Sequence, residues 1–357
     1  MQRGRESYQE FIRKKIVLLF VLFVLVLILI MVSLAMGTTK LSIREVLLTL
    51  IGKGTKRGQT IVYDIRFPRV LAGVLVGGIL AVAGAVMQSI MRNPLASAST
   101  LGVSQGASFG ATIGIIVFGA GVQNSASAAQ AVTINSPYIV TICAFIGGGI
   151  SAIVILLLSR IKQAGPQVLI LGGVALSSLF SGGTTLVQYF AEDVQVAAVV
   201  FWTFGDLGRT SKRELLLLFI VFLIAFAFFL YHRWDYNALN SGHQGAKSLG
   251  VNVEALILSS MVIATLASAM AVAFVGIISF VGLVAPHCMR HFVGNDYRFL
   301  IPASAFSGAI LLLLADLFAR LVVSPVILPI GAITSFLGAP MFLYLIFKGG
   351  LRHDTNQ

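Results

Sequence analysis

The chain has 357 residues, 57% of them hydrophobic and only 11% charged, with a formal net charge of +12 and a mean hydropathy of +0.96. A soluble globular domain carries about 25% charged residues, so this composition excludes a water-solvated fold and makes lipid the solvent. The positive charge does not indicate nucleic acid, because the basic residues fall between apolar runs without a basic–aromatic stripe; residues 1–357 read as one all-α polytopic membrane domain.

A span needs about 20 apolar residues. The first such run, Ile16–Met36, follows Arg3, Arg5, Arg13, Lys14 and Lys15. It is of full span length and more runs follow it. It reads as an uncleaved first helix, with residues 1–15 in the cytoplasm. Further runs lie at Val70–Ile90, Leu101–Gly121, Tyr138–Ser159, Val168–Phe190, Leu215–Tyr231, Val253–Ala273, Val275–Val293, Leu300–Val322 and Ile330–Phe347. That predicts about ten transmembrane helices, with an indistinct boundary between the seventh and eighth. An even count puts both termini in the cytoplasm. Closely spaced small residues, as in GGILAVAGAVMQS and GGVALSSLFSGG, predict a tight bundle.

In this topology the cytoplasmic loops hold Arg92, Arg160, Lys162, His232, Arg233, Lys247, Arg290, Arg298, Lys348 and Arg352, following the positive-inside tendency. The outer segment Gly37–Arg69 breaks it, with Lys40, Arg44, Lys53, Lys56, Arg57, Arg66 and Arg69. A short surface helix and a solvated Lys53–Arg57 loop account for its first part. Arg66 and Arg69 flank Pro68 at a membrane boundary, where a basic face suits an acidic partner or an anionic ligand. Between the second and third runs, RNPLASASTLGVSQGA (Arg92–Ala107) reads as a structured cytoplasmic corner, because Pro94 stops a continuing helix.

Glu192, Asp193 and Asp206 surround VAAVVFWTFGDLG, which at half a span reads as an outer-surface or re-entrant helix. The polar stretch Tyr236–Gly250 has room for one or two short helices. Within it SGHQGAKS is a near miss to the phosphate-binding loop: Ser241 and Ala246 stand where glycines are required and no strand precedes them. Any ATP therefore belongs to another chain. Two charged residues lie inside an apolar run, Asp316 and Arg320 at i, i+4. Either they neutralise one another, or Arg320 faces a partner outside. His287 and His291 have the same spacing and could ligate a metal or pack as an interfacial pair; no third ligand is evident, and no metal site is expected. Cys143 and Cys288 lack any paired spacing. Pro340 and three glycines in GAITSFLGAPMF suit either close packing or a flexible path. No nucleophile–base pair with a supporting group is present, so catalysis by this chain is not expected.

RFPRVLAGVLVGGILAVAGAVMQSIMRNPLASASTLGVSQGASFGA, ALNSGHQGAKSLGV and FVGLVAPHCMRHFVGNDYRFLIPASAFSGAILLLLADLFARLVV followed by LPIGAITSFLGAPMFLYLIFK together resemble, in order and spacing, the FecCD family: permeases of binding-protein-dependent ABC importers for iron–siderophores, haem and cobalamin. The resemblance runs from about Arg66 to Lys348. It implies the type II importer permease fold, with two permease subunits, identical or different, around a path. It also implies two separate ATPase subunits that carry ATP and Mg, a substrate-binding protein on the outer side, and the cytoplasmic membrane of a prokaryote. By the same resemblance Arg66, Arg69 and Arg320 form pockets for acidic residues of the binding protein. Segment 236–252, through Ala246, Lys247, Ser248, Leu249, Gly250 and Val251, contacts the ATPase. Ser177, Ser178 and Ser181 line the path, and Asn93 and Pro94 lie near its cytoplasmic gate. Two positions depart from the family pattern: Ala98 replaces an expected proline, and Asp206 replaces a serine and adds negative charge at the outer mouth. The competing readings are a secondary carrier working without ATP and a permease for free metal ions.

Overall fold

A computed structural model describes residues 2–37, 39, 41–120, 136–160 and 166–353. Lys40 and Lys162 lie outside these residues, as do the side chains of Arg3, Arg5, Lys348 and Arg352. Among the described residues there are helices and no strands: α1 (Gln2–Ala35), α2 (Ile43–Leu50), α3 (Lys56–Gln59), α4 (Phe67–Ile90), α5 (Val103–Thr112), α6 (Pro137–Ser159), α7 (Pro166–Tyr189), α8 (Asp193–Thr203), α9 (Lys212–Tyr231), α10 (Arg233–Leu239), α11 (His243–Ser248), α12 (Val253–Val275), α13 (Val281–Val293), α14 (Tyr297–Leu321) and α15 (Ile330–His353). Seven helical stretches are long and apolar enough to cross a membrane, and shorter apolar helices cover Val103–Val117, Asp193–Thr203 and Ile330–Tyr344. The ten expected runs all fall on helices, and α8 is the expected half-span.

Two boundaries differ from expectation. The second span starts well before Val70: Thr55 caps Gly58 N–H, and the helix runs on through the π-turn Thr60–Arg66 into α4. Pro68 lacks a donor and its ring crowds the carbonyl four residues earlier; the wider π-turn just before it relieves that conflict within a continuous helix. The eighth run, by contrast, is broken. Gly276 takes φ +83° and ends α12, and residues 276–280 are non-helical. Only glycine fits there, since a Cβ would come 2.5 Å from the Trp202 carbonyl oxygen. Helix α13 is therefore 13 residues long, about 20 Å.

Helix α4 is the central post. Nearly all of it is buried, and it packs against α14, α12, α13 and α9. The small residues in GGILAVAGAVMQS make that approach possible: a methyl on Gly77 would strike the Gly308 backbone of α14, and one on Gly84 would strike Gly282 of α13. Gly106 and Gly110 of α5 meet Gly147 and Cys143 of α6 in the same way. Such backbone contact stabilises helices in lipid by van der Waals packing, where no hydrophobic gain is available. Helices α1, α7 and α9 instead keep apolar side chains such as Phe20, Leu171 and Leu216 exposed, as lipid or another apolar chain requires. The expected surface helix is α2. Its capping box pairs Ser42 N–H with Glu45 Oε2 at 2.9 Å and Glu45 N–H with Ser42 Oγ at 3.2 Å, and these bonds hold the Glu45 carboxyl below its ordinary range. Lys53, Lys56 and Arg57 are exposed, as a solvated loop requires.

Candidate functional site

At one end of the bundle three helices meet around four charged groups. The last carbonyls of α1 have no intrahelical donors, and two arginines supply them. Arg66 Nη1 donates to Leu34 O at 2.7 Å and Ala35 O at 2.8 Å, and its Nη2 donates to Thr39 O. Arg320 Nη1 donates to Met36 O at 3.1 Å and Ser33 O at 3.4 Å. Cations at a helix C-terminus also meet the negative end of its dipole. Asp316 joins the set. Its Oδ1 accepts from Arg69 Nε at 2.7 Å, and its Oδ2 lies 2.8 Å from Arg320 Nε. Arg69 Nη1 then reaches Asp206 Oδ1 at 3.2 Å.

The three arginines expected to dock a partner thus come together, with relative exposures of 5% for Arg66, 7% for Arg69 and 6% for Arg320. They are engaged internally rather than displayed. Of the two sequence readings of Asp316 and Arg320, the neutralised pair forms, and the guanidinium tip turns to α1. Burying a charge is tolerable only when it is paired and hydrogen-bonded; Asp316, at 0% exposure, meets that condition by serving two arginines. Its pairing with Arg69 and the role of Asp206 were not readable from spacing.

Polar contacts organise the other end. Tyr236 of α10 shares a 2.7 Å hydrogen bond with Ser260 of α12. Asn237 grips the start of α14 twice: Nδ2 donates to Asp296 Oδ1 at 3.0 Å, and Oδ1 accepts from Tyr297 N–H at 2.8 Å. Asp296 caps α14 and pairs with Arg298 at 2.6 Å. Burial alone raises the Asp296 carboxyl, but the hydrogen bonds from Arg298 and Asn237 outweigh it and hold the group below its ordinary range. Helix α11 ends in a glycine cap: Gly250 N–H donates to Lys247 O at 3.0 Å and Val251 N–H to Ala246 O at 3.1 Å, with Gly250 at φ +85°. The segment expected to couple to an ATPase therefore divides. Ala246 is buried and anchors the turn; Lys247, Ser248, Leu249 and Gly250 are exposed, and Val251 is half-buried. Leu249 presents an apolar side chain at 69% exposure. The ion pair Lys247–Glu254 at 3.0 Å steadies the segment's far side.

A side groove of about 720 Å³ holds Ser177, Ser178 and Ser181 together with Thr100, Gln105 and Phe342. Ser177 Oγ is occupied, donating to Gly173 O at 2.8 Å. Asn93 and Pro94 are not in its wall; they shape the corner that places Leu95 there. Asn93 Oδ1 accepts from Leu95 N–H at 2.8 Å, and Arg92 has φ +45°. Ala98, where a proline was expected, is buried within this corner. His287 and His291 share α13, yet among the described residues no cluster of three or more His, Cys, Asp or Glu could hold a metal. Both cysteines are free.

Membrane-length helices, a hydroxyl-bearing side groove and two differentiated ends define the membrane-embedded permease subunit of a transporter. The chain belongs to the FecCD transport family, whose profile matches residues 25–348. It is 49% identical over 343 residues to a Methanocaldococcus jannaschii protein assigned as an ABC transporter permease, covering 96% of this chain and 97% of that one. It is 35% identical to the hemin transport permease HmuU of Yersinia pestis, covering 88% of this chain and 91% of that one. Its identity to the iron(3+)-hydroxamate import permease FhuB of Bacillus subtilis is also 35%, over 88% of this chain and 78% of that one. Among solved structures, an inward-facing metal-chelate type ABC transporter superposes with a TM-score of 0.79 at 31% identity, covering 92% of this chain and 98% of that one.

Proposed function

We propose that this chain is the permease of a binding-protein-dependent importer that carries a ferric chelate, an iron–siderophore or haem, with cobalamin as the third candidate, across the cytoplasmic membrane of a prokaryote. Family membership over residues 25–348 carries this reading. ATP and Mg reside on separate ATPase subunits, and this chain binds neither. A second permease subunit, identical or related, closes the groove beside Ser177, Ser178 and Ser181 into a path. Both termini and the α10–α11 segment lie in the cytoplasm, and the arginine cluster lies outside.

In this account the ATPase grips exposed Leu249 and its neighbours on α11. Movement there passes through α10 to α14, because Asn237 holds the Asp296–Tyr297 cap. Helix α14 has 25 residues and spans about 37 Å. Its far end carries Asp316 and Arg320, so one rigid element joins the ATPase side to the docking side. Arg66, Arg69 and Arg320 receive acidic groups of the binding protein there. The permease should be reconstituted in nanodiscs with its ATPase, and hydrolysis measured with and without chelate-loaded binding protein. Stimulation by the loaded protein is expected; hydrolysis indifferent to it refutes the coupling.

A further inference from the structure

The cluster around Arg69 contains one bond unlike the others. Arg66 and Arg320 donate to carbonyls of α1, and the Asp316 carboxylate is wholly buried. Asp206 is the exception. Its side chain is 47% exposed, and at 3.2 Å it makes the longest ion contact of Arg69. It sits between α8 and α9, where Oδ1 also accepts Gly208 N–H at 2.9 Å. The backbone crowds Arg69 at the same place, since a Cβ on Gly208 would fall 2.8 Å from Nη1. A second surface pair, Lys212–Asp64 at 2.8 Å, ties the start of α9 to the turn that precedes α4.

We propose that Asp206 is a built-in competitor: it occupies the surface-facing amine of Arg69 until a carboxylate of the extracytoplasmic binding protein displaces it, and so sets docking affinity and selectivity. This rests on the docking role proposed above. The argument is chemical. Arg69 has one guanidinium edge fixed by buried Asp316, which keeps the cation in place. Its other edge faces an exposed, solvent-screened acid, the kind of bond that exchanges at little cost. Asp206 opposes an acidic partner twice, by holding the cation and by repelling the incoming charge.

The test uses the full-length permease in nanodiscs with its ATPase and the substrate-binding protein encoded with it, in about 50 mM and about 300 mM salt. Asp206→Asn keeps the acceptor for Gly208 N–H and removes the charge. Its affinity should rise about two- to fivefold, mainly through faster association, and the gain should shrink in high salt. Asp206→Glu should dock as the parent does, and Asp206→Ser, a second neutral cap, should repeat the Asn result. Unchanged or weaker docking of both neutral variants overturns the proposal. Arg69→Gln separates the two ideas. If it weakens docking while the neutral Asp206 variants do nothing, the docking site stands and the competitor falls. If it also leaves docking unchanged, both fall.

Discussion

Replacing Asp316 by Asn removes one charge from a fully buried site at nearly constant volume. In the native chain this carboxylate faces Arg69 at 2.7 Å and Arg320 at 2.8 Å. With charge centres about 4 Å apart and an effective dielectric near 20, each pair contributes about 4 kcal/mol. Desolvating the carboxylate costs several kcal/mol in return, which leaves the net loss at about 3–5 kcal/mol, the range for breaking a buried pair from one side. Arg320 retains the α1 carbonyls and Arg69 retains Asp206, so the damage should concentrate where α1 meets α14. Thermal unfolding in nanodiscs should fall clearly, and amide exchange at Leu34, Ala35 and Met36 should rise more than at the α4–α13 contact. Asp316→Leu combined with Arg69→Met and Arg320→Met should recover part of the loss, since an apolar replacement of a whole buried network leaves no orphaned charge. A melting temperature within experimental error of the parent for Asp316→Asn would refute the view that this carboxylate holds the cluster together.

Gly250→Val places a β-branched residue at φ +85°, a strain of about 1–2 kcal/mol, although nothing crowds the site; fold and expression should survive while binding-protein-stimulated ATP hydrolysis falls. Gly77→Leu drives a side chain into the Gly308 backbone; overpacking of about 1–3 kcal/mol or more should lower thermal stability or abolish membrane yield, whereas Gly250→Val should do neither. Because the Asp296 carboxyl lies below its ordinary range in the folded chain, its contribution is complete above the unfolded carboxylate value and is lost as pH falls through the lower folded one. Amide exchange at the start of α14 should accelerate on acidification, and Asn237→Leu should narrow that response.

The spans were legible because apolar runs of membrane length have few alternatives in lipid, and the small-residue strings marked where α4 meets α13 and α14. The break at Gly276 was not, because Val275–Val293 is apolar throughout and the turn depends on the Trp202 backbone pressing against Gly276. Nor was the helix through Pro68, which a π-turn makes possible. Within the cluster, Asp316 and Arg320 announced themselves by i, i+4 spacing in an apolar run. Arg69 with Asp316 and Arg69 with Asp206 are long-range encounters, for which spacing carries no signal. The charge-rule violation at Arg66 and Arg69 did single out both residues. It did not reveal that they spend their donors on α1, Asp316 and Asp206.

The most direct test of the transport assignment is uptake of radiolabelled ferric hydroxamate, and in parallel of hemin, into proteoliposomes holding this permease and its ATPase, with the binding protein outside and ATP inside. The account predicts accumulation of one of these chelates that requires ATP, the ATPase and the binding protein together. Accumulation that persists without the ATPase, or none of any ferric chelate or cobalamin with all components present, would contradict it.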